Sequence, residues 1–199
     1  MRHAPVAIAI LAAVAVGAGF ALRERAAAPP TLRSGTALPV PAPLADFSLT
    51  GQDGQPFLRD DLQGRWTLLF TGFTHCPDVC PLTVASMAEL RRRLDREDLQ
   101  FVFVSVDPER DSPEVIRRYL AHFDPGLLGA TGARADVDRF TAGLGLAQVV
   151  NPGVGDEYTV DHSTAFVLID PEARLAGYFS APHALDALAA DLAALKRGR

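Results

Sequence analysis

Two apolar runs of strand length, RWTLLFTGF (residues 65–73) and LQFVFVSVD (residues 99–107), most tightly limit what this chain can become. Neither alternates polar with apolar positions, so both read as strands covered on two faces. Between them, PLTVASMAELRRRL sets Val84, Met87, Leu90 and Leu94 at three- and four-residue spacing, the mark of a helix with one buried side. Pro81 falls near its first position, where a missing N–H is harmless. Strand, helix and strand in this order call for a sheet with helices packed against it.

The flanking sequence extends that pattern. DFSLTGQDGQPF, from about Leu44 onward, reads as a hairpin around a Gly-Gln-Asp-Gly turn. DSPEVIRRYLAHF opens a helix with Asp111 as N-cap, Pro113 in the first turn and Glu114 three residues after the cap. Val115, Ile116, Tyr119, Leu120 and Phe123 form its buried stripe. A further helix is expected over residues 135–144, followed by NPGVGDEY as a loop. TAFVLID and RLAGYF make a second hairpin about residues 171–173, and a last helix turns Leu185, Leu188, Leu192 and Leu195 inward. The expected class is α/β, a mixed sheet flanked by helices, compatible with a thioredoxin-like fold. At 199 residues and 48% hydrophobic, the chain suffices for one core.

The N-terminus carries a separate signal. Residues 5–22 hold no charge and are dominated by Ala, Val, Ile and Gly, with Arg2 before them and Arg23 and Arg25 after. The run is at the short end of the roughly 17–25 residues that span a bilayer, and longer than the roughly 7–15 of a signal-peptide core. We read residues 1–25 as an uncleaved N-terminal transmembrane helix. Residues 26–43, rich in Ala and Pro and without periodicity, read as a linker, and residues 44–199 as the folded domain. Without an Arg/Ser-rich leader, the expected location is a bacterial inner membrane, the domain facing the periplasm. A net charge of −5 argues against nucleic acid as a partner.

The only two cysteines, Cys76 and Cys80, stand in FTHCPDVCPLT, where the first buried strand passes into a helix. Open α/β sheets place their sites at such strand ends. Backbone N–H groups and the helix dipole favour thiolates there, which serves disulfide exchange and metal binding equally. A structural disulfide across so short a loop would stabilise little. A peroxidase of the peroxiredoxin type needs a different setting for its cysteine, and a redox-sensing module is a further alternative.

FTHCPDVCPLT, SVDPERDSPE and VDHSTAFVLIDPEARLAGYF together resemble the Sco/SenC family of copper-assembly proteins for cytochrome c oxidase, from about Asp46 to the C-terminus. The resemblance implies a thioredoxin-like fold and a copper site formed by Cys76, Cys80 and His162. It also implies that His162, in DHST, stands where thioredoxin-like proteins usually carry a cis-proline. Soft thiolates suit Cu(I), and an added imidazole also suits Cu(II); a structural zinc site would want a fourth ligand. The implied function is membrane-tethered copper delivery to the binuclear copper site of a respiratory oxidase. Its partners would be the copper-receiving subunit and possible periplasmic copper chaperones or thiol reductases. The alternative is a thiol-disulfide reductase that uses Cys76 and Cys80 to keep the target's cysteines reduced.

Other polar residues have simpler expected roles. His75 is expected to point away from the cysteines, His122 to place a favourable charge near the C-terminus of its helix, and His183 and His3 to be solvated. Asp161 is a turn residue or a partner for the His162 ring, and Asp78 a helix cap. Asp156 and Glu157 lie in the loop before His162, and the DPERD turn is expected to be structural.

Overall fold

The computed structural model describes residues 30–153 and 158–196. In chain order the elements are β1 (Thr36–Pro43), β2 (Ser48–Gly51), β3 (Pro56–Leu58), β4 (Trp66–Gly72), α1 (Val79–Leu94), β5 (Leu99–Ser105) and α2 (Pro113–Ala121). There follow β6 (Leu128–Thr131), α3 (Arg134–Gly143), β7 (Gln148–Pro152), β8 (Tyr158–His162), β9 (Phe166–Ile169), β10 (Arg174–Phe179) and α4 (Leu185–Ala194).

The two apolar runs are the centre of an eight-stranded mixed sheet ordered β1-β10-β9-β4-β5-β6-β2-β3. β4, β5 and β6 are parallel, with Leu68 opposite Phe101 and Val102 opposite Leu128, while β9 joins β4 antiparallel. Every residue of β4 and β5 is buried, which is why neither run alternates. A parallel neighbour cannot be reached by a hairpin, so α1 and α2 carry the chain from β4 to β5 and from β5 to β6. α1 buries Val84, Met87 and Leu90 as its spacing requires. It ends at Asp95 in the left-handed region, after Arg91, Arg92 and Arg93 have placed positive charge at the negative end of the helix dipole. Phe70, Phe101, Phe103 and Phe166 are among the largest fully buried side chains. Removing any one ring would cost about 3–5 kcal/mol.

Both expected hairpins form: β2 pairs β3, and β9 pairs β10, each antiparallel. The linker expectation fails over its second half. Residues 36–43 are strand β1, which closes the sheet edge against β10, with Thr36 opposite Tyr178 and Pro43 opposite Arg174. Its prolines are tolerated because the strand is at an edge and its register shifts between Ala37 and Ala42. The preceding turn is fastened by Asp191, whose carboxylate accepts the amides of Arg33 and Ser34 and the Ser34 hydroxyl.

Three further strands are not legible in the sequence. β6 is only four residues long, and the segment read as a loop before His162 is flanked by β7 and β8, which form a ladder of their own. His162 is therefore the last residue of a strand rather than part of a turn. Among the described residues no helix is long and apolar enough to cross a membrane; the expected anchor over residues 5–22 lies outside them.

Candidate metal and thiol site

β4 delivers the chain to Gly72, where any side chain would run into the Phe103 and Phe70 rings and the Cys80 sulfur. The next turn folds back, the Cys76 amide donating to the Phe73 carbonyl at 3.3 Å. Cys76 is half-buried there. Cys80 lies in the first turn of α1, on the inward face with Thr83, Val84 and Met87, and is fully buried. The Cys80 amide donates to the Cys76 Sγ at 3.5 Å. Asp78 occupies the N-cap position, but its side chain makes no capping bond.

His162 arrives from β8 with its Nε2 3.3 Å from the Cys80 Sγ. Its other nitrogen, Nδ1, is 2.9 Å from the Ser163 carbonyl. A carbonyl only accepts, so Nδ1 carries the proton and Nε2 presents its lone pair to the sulfur. The ring stands edge-on between Phe70 and Phe73, 5.9 Å from each centroid. Burial lowers the imidazole pKa against the opposing pull of the Ser163 bond and the Asp161 charge.

Burial likewise pushes the Cys80 thiol up to about 12; a backbone bond from Phe73 opposes this, while Cys76 adds to it. Without a metal, Cys80 would thus be held as a thiol beside a neutral imidazole, its sulfur within hydrogen-bonding reach of Nε2. This corrects the expectation of thiolates favoured by the helix terminus: for Cys80, desolvation outweighs the backbone. Both cysteines are free. Among the described residues no three His, Cys, Asp or Glu side chains are already gathered around one metal position. Cys80 and His162 are in contact, while the Cys76 sulfur is turned onto the Cys80 amide.

The DPERD turn holds what the sequence reading missed. Asp111 is not the N-cap of α2; Ser112 is, its hydroxyl accepting from the Val115 amide. Asp111 is instead fully buried beneath the cysteine loop. It accepts the Thr74 amide at 2.9 Å and the Thr74 and Ser105 hydroxyls at 2.5 Å each. Asp107, also fully buried, accepts from Arg110 and from the Tyr158 hydroxyl. Two aspartates four residues apart look like turn and cap residues in a linear reading, and only their burial distinguishes them.

Of the remaining candidates, His75 is exposed and turns to the Thr74 hydroxyl at 3.2 Å and the Asp111 carboxylate at 3.6 Å. His122 is the C-cap of α2, its Nδ1 2.6 Å from the Arg118 carbonyl. His183 is not solvated: its ring lies 4.2 Å from that of Phe166, and its Nε2 meets the Thr164 carbonyl at 3.0 Å. Asp161 is exposed; Asp156, Glu157 and His3 lie outside the described residues.

A family model described as SCO1/SenC matches residues 39–197. A Stutzerimonas stutzeri protein named for copper binding is 38% identical over 154 residues, 76% of each chain. The human mitochondrial protein SCO1 homolog is 38% identical over 152 residues, 74% of this chain and 50% of the human one, so the chain spans about half the length of that relative. The structure of Bradyrhizobium japonicum ScoI with copper bound matches with a TM-score of 0.71 at 34% identity, covering 77% of this chain and 100% of that one. A match along most of the folded domain, in sequence and in fold, means that this chain belongs to the SCO1/SenC family.

Proposed function

We propose that this chain binds copper through Cys76, Cys80 and His162 and delivers it to the binuclear copper site of a respiratory cytochrome c oxidase. The observation that carries the reading is the approach of His162 Nε2 to within 3.3 Å of the Cys80 sulfur, with its lone pair facing that sulfur. Two sulfurs and a neutral imidazole make a donor set for Cu(I) and Cu(II) alike. Binding copper requires Cys80 to lose its proton, which the metal charge drives, and Cys76 to turn from the Cys80 amide. Family membership and a relative solved with copper bound support the same reading. In this proposal residues 5–22 tether the domain to the inner membrane and the site faces the periplasm, where the copper-receiving subunit, other copper chaperones and thiol reductases are met.

A second reading is favoured by one observation: Cys76 is only half-buried, where a target disulfide can reach its sulfur, and the Cys80 amide four residues on donates to it. As a thiol-disulfide reductase, Cys76 would attack a target disulfide and Cys80 would displace the target's second sulfur. The electron pair would pass to the target, leaving a Cys76–Cys80 disulfide. Metal analysis with absorption spectroscopy on the reduced protein, wild type beside His162→Ala, separates the two. The copper reading expects one copper per chain, a sulfur-to-Cu(II) charge-transfer band, and steep loss of Cu(II) in the variant while Cu(I) persists on the thiolates. Copper affinity indifferent to His162 in both oxidation states would leave only the reductase.

A further inference from the structure

The ladder of β7 and β8 is separate from the eight-stranded sheet, although β8 carries His162. Two strands alone are marginally stable in water, so something must fasten this hairpin for the imidazole to keep its place. Val160 is buried in the core and Gln148 donates to Asp138, but at the start of β8 the fastening converges on one side chain. The Arg110 guanidinium carbon sits 3.6 Å from the Tyr158 ring centroid and 5.7 Å from that of Phe73. Its Nη1 donates to the Tyr158 carbonyl at 3.1 Å and its Nε to Asp107 at 2.5 Å. The Tyr158 hydroxyl closes the ring by donating to the other Asp107 oxygen, also at 2.5 Å.

The two aromatic neighbours of Arg110 lead to the two halves of the site. Tyr158 is the first residue of β8, whose last is His162. Phe73 accepts the Cys76 amide through its carbonyl and sets its ring edge-on to the His162 ring, at 87°. Asp107 anchors the assembly to the sheet, its amide donating to Ser105 Oγ at the end of β5. We propose that Arg110 is the positioning residue of this site, clamping the His162 hairpin to the root of the cysteine loop and so setting how firmly the imidazole is held beside the sulfurs. A planar guanidinium stacked on one ring while bonding a carboxylate and a carbonyl does what a lysine ammonium cannot. A protein that must release its cargo gains from holding one ligand on a separately fastened hairpin.

The consequence for copper rests on the function proposed above; the clamp itself does not. The test compares wild type, Arg110→Gln, Arg110→Lys and Tyr158→Phe in the full-length chain. Amide hydrogen exchange of the metal-free protein should show the β7–β8 amides losing protection by at least about tenfold in both Arg110 variants, with those of β4 and β5 unchanged. Lysine should not rescue, because charge alone does not clamp. In the copper arm, Cu(II) dissociation should speed up by about 10–100-fold, as for the loss of other residues that orient a ligand, with Cu(I) on the two sulfurs affected less. Equal loss of protection in hairpin and central strands, or full rescue by lysine, would reduce Arg110 to general stabilisation and overturn the clamp. A loosened hairpin with unchanged Cu(II) dissociation would overturn its role in holding the ligand. Should the Arg110 variants not fold, Tyr158→Phe, which removes only the hydroxyl link, is judged by the same two criteria. Failure of wild type to bind copper removes the copper reading, and the exchange measurement then decides the clamp by itself.

Discussion

The Cys80 sulfur and the His162 Nε2 stand 3.3 Å apart although 82 positions separate them in the chain. The contact joins a thiol that burial keeps protonated to an imidazole that burial keeps neutral. Each is a poor ion on its own, and a soft cation entering between them would take the proton's place.

The two thiols should differ sharply in reactivity. Cys80 is fully buried and Cys76 is half-exposed, so Cys76 should be alkylated faster by at least about tenfold, since a buried thiol reacts only in opened molecules. Mass spectrometry of the reduced, metal-free protein after a short pulse of iodoacetamide measures the ratio. Equal rates would contradict the burial of Cys80.

Asp111 should prove essential to the cysteine loop. Its carboxylate satisfies the Thr74 amide and two hydroxyls, and truncation strands all three. Asp111→Ala is expected to cost about 3 kcal/mol and lower Tm by about 6–12 °C. The Cys76 alkylation rate should change in the same variant. Calorimetry finding less than about 1 kcal/mol would mean that the network contributes little.

Alkaline pH should unfasten the molecule through its tyrosines. The chain has three: burial pushes Tyr158 up to about 12, with the Asp107 bond adding to it, and burial raises Tyr119 and Tyr178 as well. A phenol with a raised folded pKa keeps its proton where the unfolded chain has lost it. Its stabilising contribution is whole below about pH 10 and disappears as the pH climbs through the folded value. Tyrosinate absorbance should therefore stay low at pH 10 and rise together with loss of tertiary structure. Tyrosinate appearing at pH 10 with the fold intact would refute this.

Acid should first loosen the strap that residues 33–43, the Arg33–Ser34 turn and β1, lay along the sheet edge. Burial alone would raise the Asp191 carboxyl, but the Ser34 hydroxyl and the Ser34 and Arg33 amides outweigh it and hold it below the usual value. A depressed carboxylate stabilises at pH above its unfolded value of about 4, and that contribution fades as the pH falls through the folded one. Limited proteolysis around Arg33 should accelerate below about pH 4, and in Asp191→Asn the acceleration should already be present at pH 7. Cleavage independent of both pH and Asp191 would show that the strap is held by β1 alone.

The amino-acid sequence by itself determined the central architecture. β4, β5 and α1 announce themselves through continuous apolar runs and a helical stripe, patterns that depend on no distant partner. The same patterns put Cys76 and Cys80 at a strand-to-helix junction, and the family motifs pointed to His162 as the third member of the site. Tertiary structure alone decided the rest, because the stabilising partner lies far away. β1 is a Pro-rich segment that becomes a strand only because β10 offers it an edge and Asp191, 158 positions from Arg33, ties it down. β7 and β8 mix polar and apolar residues in a half-exposed pattern and are held by distant partners: Arg110 and Asp107 on Tyr158, Asp138 on Gln148, and the core around Val160. Asp107 and Asp111 look like ordinary turn residues until the fold closes over them. Burial then converts two solvated carboxylates into the anchors of the cysteine loop and the histidine hairpin, because a charge removed from water is retained only where donors converge on it.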